Sequence, residues 1–359
     1  MAPLELTPNK SPVIIGDDAL ASQSSPCPVC ASHEGAAISD TDRHGKPLLT
    51  RLCDDCGHVF NDPIPTAEEL AAFYARDYRV SYKGAARPRG RQIARNFGRV
   101  ERFWRKWGHV MRSHPRVLDI GAGSGEFLFF AKALGHETEG VEPNVGYSAY
   151  CRDELGLPVR TASIEDLENS EATYDFIRLN HVLEHMRDPV DSLERAARLL
   201  APNGVLYVEV PDVLAYAATK SGGRIFHYGH ISNFSPWTLR AAAGRAGLAE
   251  LAETASATQN QASAFFRKGE RWPVERARDA SNAQNVRAAL ADHGGRSVSP
   301  IAKAARIAKK LIRNIDDTRI AAGIGAPRQI GMYYLKRLTT AKPSGSKSGL
   351  TASFTPSQT

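Results

Sequence analysis

Arg116-Val-Leu-Asp-Ile-Gly-Ala-Gly-Ser-Gly-Glu-Phe-Leu-Phe-Phe-Ala-Lys-Ala-Leu-Gly-His-Glu-Thr-Glu-Gly-Val-Glu-Pro-Asn144 is the stretch that decides the fold. Its apolar run, Val117, Leu118 and Ile120, ends in alternate glycines at Gly121, Gly123 and Gly125. A helical pattern follows, and a second short strand, Thr138 to Val141, ends on Glu142. Strand, glycine turn, helix, strand and terminal acid make one nucleotide-binding βαβ unit. Glycine allows the turn positive φ and lets a ligand approach the backbone closely.

A dinucleotide fingerprint needs a glycine where this chain has Glu126. Asp119 before the turn and Glu126 after it are poor company for a pyrophosphate. They suit a ligand with positive charge and no phosphate, such as S-adenosylmethionine. Glu142 stands where a carboxylate would accept both ribose hydroxyls. Asp119, Gly121, Ala122, Gly123, Gly125, Glu142 and Pro143 are therefore the candidate cofactor contacts of this unit. The bland alternative is an ordinary α/β turn with a surface acid.

The 359 residues have room for two domains, or one with appendages, and the composition is that of a globular protein. No apolar run approaches a membrane span, and Met1 to Lys10 lacks a signal-peptide pattern, so a cytoplasmic protein is expected. The net charge of +7 permits an anionic partner without demanding one. Four of the five cysteines form two close pairs, Cys27-Pro-Val-Cys30 and Cys53-Asp-Asp-Cys56. That spacing predicts a closed, structural zinc ribbon over residues 25–62, after a poorly ordered stretch 1–24. A redox pair is the rival for one knuckle, and His33, His44 or His58 could replace a ligand.

A helix capped by Thr66 leads to Tyr74, Tyr78 and Tyr82, spaced as one face that packs on the next domain or covers its site. Residues 83–91 read as a basic linker. An amphipathic helix follows from Gln92 to Met111, with Ile93, Phe97, Val100, Trp104, Trp107 and Met111 on one stripe and arginines elsewhere. Residues 63–112 thus form a helical linker or lid. Strands are predicted at Leu157 to Thr161, Tyr174 to Leu179 and Gly204 to Val210, with helices at Pro189 to Leu200 and Pro236 to Ala246. Pro202-Asn203-Gly204 reads as a turn. Leu248 to Thr254 and Gln261 to Arg267 close the core as a hairpin. The fold class is α/β, a doubly wound, mostly parallel, seven-stranded Rossmann-like sheet over residues 113–269. It carries an N-terminal ribbon and a helical extension over 270–340, with helices at Glu275 to Ala291 and Ile301 to Ile315. The second helix opposes an apolar face to Lys303, Arg306, Lys309, Lys310 and Arg313, which suits a membrane surface, a partner, or packing on the core. Residues 341–359 read as a disordered tail.

From about Arg116 to Arg267 the chain resembles the class I S-adenosylmethionine-dependent methyltransferases. The resemblance is carried by the glycine turn, Glu142, His181-Val-Leu-Glu-His185 and Pro202-Asn-Gly-Val-Leu-Tyr-Val-Glu-Val-Pro-Asp212. It implies cofactor contacts at the turn, at Glu142, and near Ser163, Ile164, Asn180 and His181. Cys27 to Tyr82 further resembles the zinc-binding front end of bacterial sugar C-methyltransferases. That family has a Tyr-x-Glu-His-x-Ser segment where this chain reads His227, Tyr228, Gly229, His230, Ile231 and Ser232. His230 keeps the base, but the acid is Gly229 and the tyrosine is His227, which leaves C- and O-methylation equally open.

Methyl transfer needs an aligned nucleophile and, for a hydroxyl or acidic C–H, a base; histidine is the usual one at neutral pH. The acceptor is expected at the carboxyl ends of the strands, where His181, Glu184 and His185 form one constellation. The segment from Arg224 to Ser235, with His227 and His230, forms another. His230, His227, His185 and Glu184 are the catalytic candidates, although a structural role for Glu184 and His185 is at least as common. The acceptor is expected to be a sugar or glycan intermediate, nucleotide- or lipid-linked. The rivals are an RNA base methyltransferase using the ribbon, for which no base-clamp motif is present, a non-catalytic binding module, and a quinone or other small-molecule O-methyltransferase, since the core alone does not choose acceptors. Cys151 reads as a small core residue.

Overall fold

The computed structural model describes residues 24–70, 73, 87–167, 173–219, 225–251, 256–258, 261–291 and 300–340. Residues 1–23 and 341–359 of the predicted termini, Tyr74, Tyr78, Tyr82, residues 83–86 of the basic linker and Arg224 lie outside these residues.

The core is the expected doubly wound sheet. Its strands are β4 (Arg116–Ile120), β5 (Glu137–Val141), β6 (Val159–Arg160), β7 (Tyr174–Asn180), β8 (Leu200–Pro211), β10 (Leu248–Glu250) and β12 (Gln261–Lys268). They lie in the order β10-β12-β8-β7-β4-β5-β6. The five central and outer strands β8, β7, β4, β5 and β6 run parallel, while β12 pairs antiparallel with β8 and β10. The order reverses at β4, so a crevice opens beyond the carboxyl ends of β4 and β7.

Period-two alternation divides the strand residues between two cores. Val117, Phe176, Tyr207 and Phe265 face α1 (Gly90–Met111) and α2 (Glu126–Ala133). Leu118, Ile177, Leu206 and Phe266 face α4 (Pro189–Leu199) and α6 (Pro236–Arg245), with the short α5 (Val213–Thr219) between the two in the chain. Both faces are covered, as a parallel sheet requires. The α1 stripe buries Ile93, Phe97, Val100, Trp104 and Met111, and Trp107 packs on Phe265 at 4.9 Å between ring centres. This helix, read as linker or lid, is an integral layer of the core.

The structure departs from three local predictions. The Pro202-Asn203-Gly204 turn is absorbed into β8, with a register shift against Tyr174 and Phe176. A Cβ on Gly204 would lie 2.8 Å from the Tyr174 carbonyl oxygen, so glycine there permits the close approach. The helix expected from Glu275 breaks at Arg278, which is extended. Asp279 then starts α7 (Ala280–Ala291), its carboxylate accepting from the Ser281 and Asn282 amides. The expected hairpin is divided: β10 pairs with the far end of β12, and β11 (Ser256–Thr258) with its start.

The cysteine module is built on β1 (Gly35–Thr41), β2 (Pro47–Cys53) and β3 (Val59–Asn61). Its sheet takes a fourth strand from the far side of the chain: Val59 and Phe60 pair with Asn233 and Ser232 of β9 (Ser232–Asn233). Past α7 the chain forms α8 (Pro300–Ile324), longer than predicted, and α9 (Pro327–Thr340). Ile330, Tyr334 and Leu335 of α9 join the α1 core.

Asp119 of β4 is fully buried and receives two hydrogen bonds, at 3.0 and 3.2 Å, from Arg178 directly opposite on β7. Burial pushes the Asp119 carboxyl up, with Arg178 acting in the other direction. Arg178 also lies over the Phe127 ring at 4.5 Å. Replacing Arg178 by Met would strand a buried carboxylate, and urea unfolding is expected to register a loss of about 3–5 kcal/mol.

Candidate active site and metal centre

The three glycines of the turn do different work. All have positive φ: Gly121 +71°, Gly123 +57° and Gly125 +79°. A Cβ on Gly121 would meet Val182 at 2.4 Å, and one on Gly125 would meet Leu157 at 2.8 Å and the Cys151 sulfur at 2.9 Å. These two are glycine so that neighbouring chain can pack. A Cβ on Gly123 would meet nothing within 4 Å, so only Gly123 borders open space.

Four of the turn's amides are committed internally. Gly121 and Ala122 donate to the Val141 carbonyl at 2.8 and 3.0 Å, and Gly125 donates to Ala122. The Gly123 amide donates to Glu142 Oε2 and the Asn144 amide to Glu142 Oε1, both at 2.9 Å. An anion-binding turn keeps such donors for its ligand. This one presents open space bordered by the Glu142 carboxylate instead, a cradle that fits S-adenosylmethionine better than a pyrophosphate. Glu142 thus shapes the turn as well as facing the ligand space, a dual role its position in the motif does not reveal.

Two acids of the motif stand apart from this cradle. Asp119 is spent on Arg178, as described. Glu126 is buried, accepting from Ser124 Oγ at 2.7 Å and from Asn96 of α1 at 3.2 Å. Asn96 also donates to Ser124, so α1 buttresses the turn. Beyond Pro143, Asn144 caps α3 (Val145–Leu155) by accepting from Gly146 and Tyr147. Cys151 is buried behind the turn, its thiol 3.3 Å from the Gly123 carbonyl and its pKa pushed up by burial. After β6, Ser163 is tied to Asp166 through its amide and hydroxyl, while Ile164 is buried. A surface hollow lined by Arg116, Glu139, Arg160 and Tyr174 lies at the amino ends of the strands, the wrong end for a ligand of this sheet.

The two histidine constellations are one cluster. Asn180 ends β7 opposite Glu209, and the chain turns at His181, whose φ of +56° is rare outside glycine. His181 Nδ1 lies 3.3 Å from Glu184 Oε1, and its Nε2 lies 3.0 Å from the Gln261 amide and 3.6 Å from Glu209. Burial works against a charged His181 ring, but the carboxylates of Glu184 and Glu209 outweigh it and raise the pKa. Tyr207 donates to Glu209 at 2.6 Å. Glu209 and Gln261 were missed in the sequence; a charged residue in the otherwise apolar run of β8 was the available signal.

His185 Nδ1 donates to the Gly229 carbonyl, and its Nε2 lies 3.9 Å from Glu184. The His185 and His230 rings meet edge to face at 4.9 Å, and those of His227 and His230 lie 3.8 Å apart. Glu184 is 1% exposed, so its carboxylate serves this cluster and not solvent. Burial, followed by the neighbouring His185, His227 and His181 rings and Arg43, drives the His230 pKa well below 6.5. His230 is therefore neutral at physiological pH and able to accept a proton.

The four cysteines of the module are buried, unbridged, and gathered with all sulfurs within 4.8 Å. Cys27 and Cys56 sulfurs are 3.6 Å apart, Cys30 and Cys53 sulfurs 3.5 Å. A tetrahedral zinc with bonds of about 2.3 Å spaces its sulfurs by about 3.8 Å, so the residues fit that ion and not a disulfide at about 2.05 Å. His58 points elsewhere, to Ser232 Oγ at 3.1 Å. The module is joined to the histidine segment at several points besides the β3–β9 pairing. Asn61 bonds to the Tyr228 carbonyl and the Ile231 carbonyl, Arg43 to the Phe226 carbonyl, and Asn282 of α7 to the Cys56 carbonyl.

Residues 89–253 match a sequence family described as "Methyltransferase domain". A ubiquinone biosynthesis O-methyltransferase from Azorhizobium caulinodans is 32% identical over 114 residues, covering 29% of this chain and 45% of that protein. Its counterpart from Maricaulis maris is 35% identical over 97 residues, covering 25% of this chain and 38% of that protein. The chain thus spans less than half the length of these relatives. The 1,6-didemethyltoxoflavin-N1-methyltransferase from Burkholderia thailandensis, solved with S-adenosylhomocysteine, aligns with 60% of this chain and 97% of its own, at 19% identity and a TM-score of 0.44. The core has the Rossmann-like methyltransferase fold.

The glycines supply a direct test. Gly123→Ala is expected to cost about 1–2 kcal/mol from its left-handed backbone alone and to weaken S-adenosylmethionine binding in calorimetric titration. Gly121→Ala adds a clash with Val182 and is expected to lose more stability than Gly123→Ala in thermal unfolding.

Proposed function

We propose that this chain, built on a methyltransferase fold, transfers the methyl group of S-adenosylmethionine to a hydroxyl of a sugar or glycan intermediate, with His230 as base. The observation that carries the reading is the neutral His230 packed against His185 at the carboxyl ends of the strands, beside a turn whose glycine amides are already spent. Gly123 and Glu142 would border the cofactor, with Ser163, Ile164 and Asn180 nearby. Bound there, S-adenosylmethionine supplies an activated methyl group.

The remaining work falls to the protein. His230 accepts the acceptor's proton as the oxygen attacks. The positive charge gained by the histidine cluster is offset by the buried Glu184 carboxylate. His185, held by the Gly229 carbonyl, orients the His230 ring by edge-to-face contact. Oxygen transfer is supported over carbon transfer because the acid of the sugar C-methyltransferase segment is replaced by Gly229. The relatives named for O-methylation support it too. A sugar or glycan acceptor is supported by the cysteine module, which is joined to the histidine segment. The relatives match only about a hundred residues, so a quinone acceptor is the second reading, favoured by their names.

His230→Asn is expected to lower kcat by about 10²–10⁴-fold while S-adenosylmethionine affinity holds. Protonation of His230 removes the base, and its pKa is depressed, so kcat/KM is expected to stay level as pH falls through 6.5 and to drop only below it. A limb centred at 6.5 or above in the pH–rate profile would exclude His230.

We also propose that zinc at Cys27, Cys30, Cys53 and Cys56 holds the acceptor wall in place. Chelation, or Cys56→Ser, is expected to cut methyl transfer by about 10²-fold through misplacement of the histidine segment. S-adenosylmethionine binding, measured by calorimetry, is expected to survive, because the cradle is built on β4, β5 and α1.

A further inference from the structure

The half of α8 that ends in Ile324 is docked on the core, and the other half is not. Arg95 of α1 bonds to Asn314 at 2.5 Å and forms an ion pair with Asp317 at 3.1 Å. Ile320, Ala321 and Ile324 pack on the α1 core. Upstream, every residue from Ile307 to Arg313 is exposed. Ile307, Leu311, Ile312 and Ile315 are 58%, 58%, 60% and 43% exposed, the bulk of the large exposed hydrophobics among the described residues.

These apolar residues are not scattered. At 100° per residue, Ile307, Leu311, Ile312 and Ile315, with Ala304 and Ala308, fall on one side of the helix. Lys309, Lys310 and Arg313 fall on the other. No helix among the described residues is long and apolar enough to cross a membrane. An exposed apolar stripe backed by cations is instead the pattern of a helix lying in a bilayer interface, its lysine and arginine stems reaching back to lipid phosphates.

The charge around the overhang has the complementary sign. Arg99 on α1 has its pKa lowered by burial and by the crowding of Arg95, Arg102 and Arg313, which marks a concentrated positive rim where α1 meets α8. The whole chain carries +7. A second copy of the same chain would bring like charge against like, and an anionic lipid surface would neutralise it.

We propose that the overhanging half of α8, centred on Ile307, Leu311, Ile312 and Ile315, docks on an anionic phospholipid surface. This docking does not depend on the methyl-transfer reading. It would set the α1 rim, and with it the crevice beyond β4 and β7, close to the bilayer.

The full chain is sedimented with vesicles of phosphatidylcholine alone and of phosphatidylcholine with phosphatidylglycerol. Binding to the anionic vesicles is expected to exceed binding to the neutral ones by about tenfold or more, and to fall when salt is raised. Leu311→Asp with Ile312→Asp is expected to abolish it, and Lys309→Glu with Lys310→Glu to weaken it strongly. Both pairs are exposed, so thermal unfolding is expected to be unchanged. Absence of binding to anionic vesicles overturns the proposal, as does equal binding by the wild type and the Leu311→Asp/Ile312→Asp variant. Light scattering that finds a dimer, converted to monomer by that variant, with no vesicle binding, assigns the face to a second copy and also overturns it.

Discussion

Glu142 accepts one hydrogen bond from the amide of Gly123 and another from the amide of Asn144, and the shape of the ligand-binding end of the sheet depends on this pair. The carboxylate sits at the tip of β5, so it ties the glycine turn after β4 to the cap of α3. Together with the bonds from Gly121 and Ala122 to Val141, it consumes the donors that would otherwise attract an anion. Charge-assisted bonds of this kind are stronger than neutral ones. The turn is therefore tied to both β5 and α3, and Gly123 is its one glycine where a Cβ would meet nothing within 4 Å.

A second constraint acts on the other side of the crevice. β9 is two residues long and would not persist alone, since a short isolated strand has too few partners. It is held because Val59 and Phe60 offer it an edge, and that edge exists because the cysteine knuckles fix β2 and β3. The histidine segment runs directly into β9, so the cysteine module, which contributes none of these histidines, bears on where His227 and His230 lie. Gly57, with φ +76°, permits α7 to close against the knuckle, since a Cβ there would meet Ala283 at 2.8 Å. Structure and chemistry are coupled here by backbone pairing, not by shared ligands.

Electrostatics divides the buried carboxylates by task. Asp119 is committed to Arg178 inside the sheet, Glu126 to Ser124 and Asn96 beneath the turn, and Glu184 to the histidines. Each is buried and each is partnered, as buried charge must be. Of these three, Glu184 lies at the histidine cluster, where Glu209 joins it, while the half-buried Glu142 borders the open side of the turn.

The sheet, its parallel core, the cysteine module and the glycine turn were legible from Val117 to Glu142, from the two Cys-x-x-Cys pairs and from the alternation along β7 and β8. Those features are local, set by side-chain periodicity and by the φ values that glycine alone adopts readily. The fate of each acid was not local. Asp119 and Glu126 flank the turn in the sequence, yet their directions were decided by Arg178 and Asn96, 59 and 30 residues away. The union of His181, Glu184 and His185 with His227 and His230 was likewise a tertiary matter. A sequence states which groups can bond, but burial forces each polar group to find a partner, and which partner is in reach is decided only when distant strands are brought side by side.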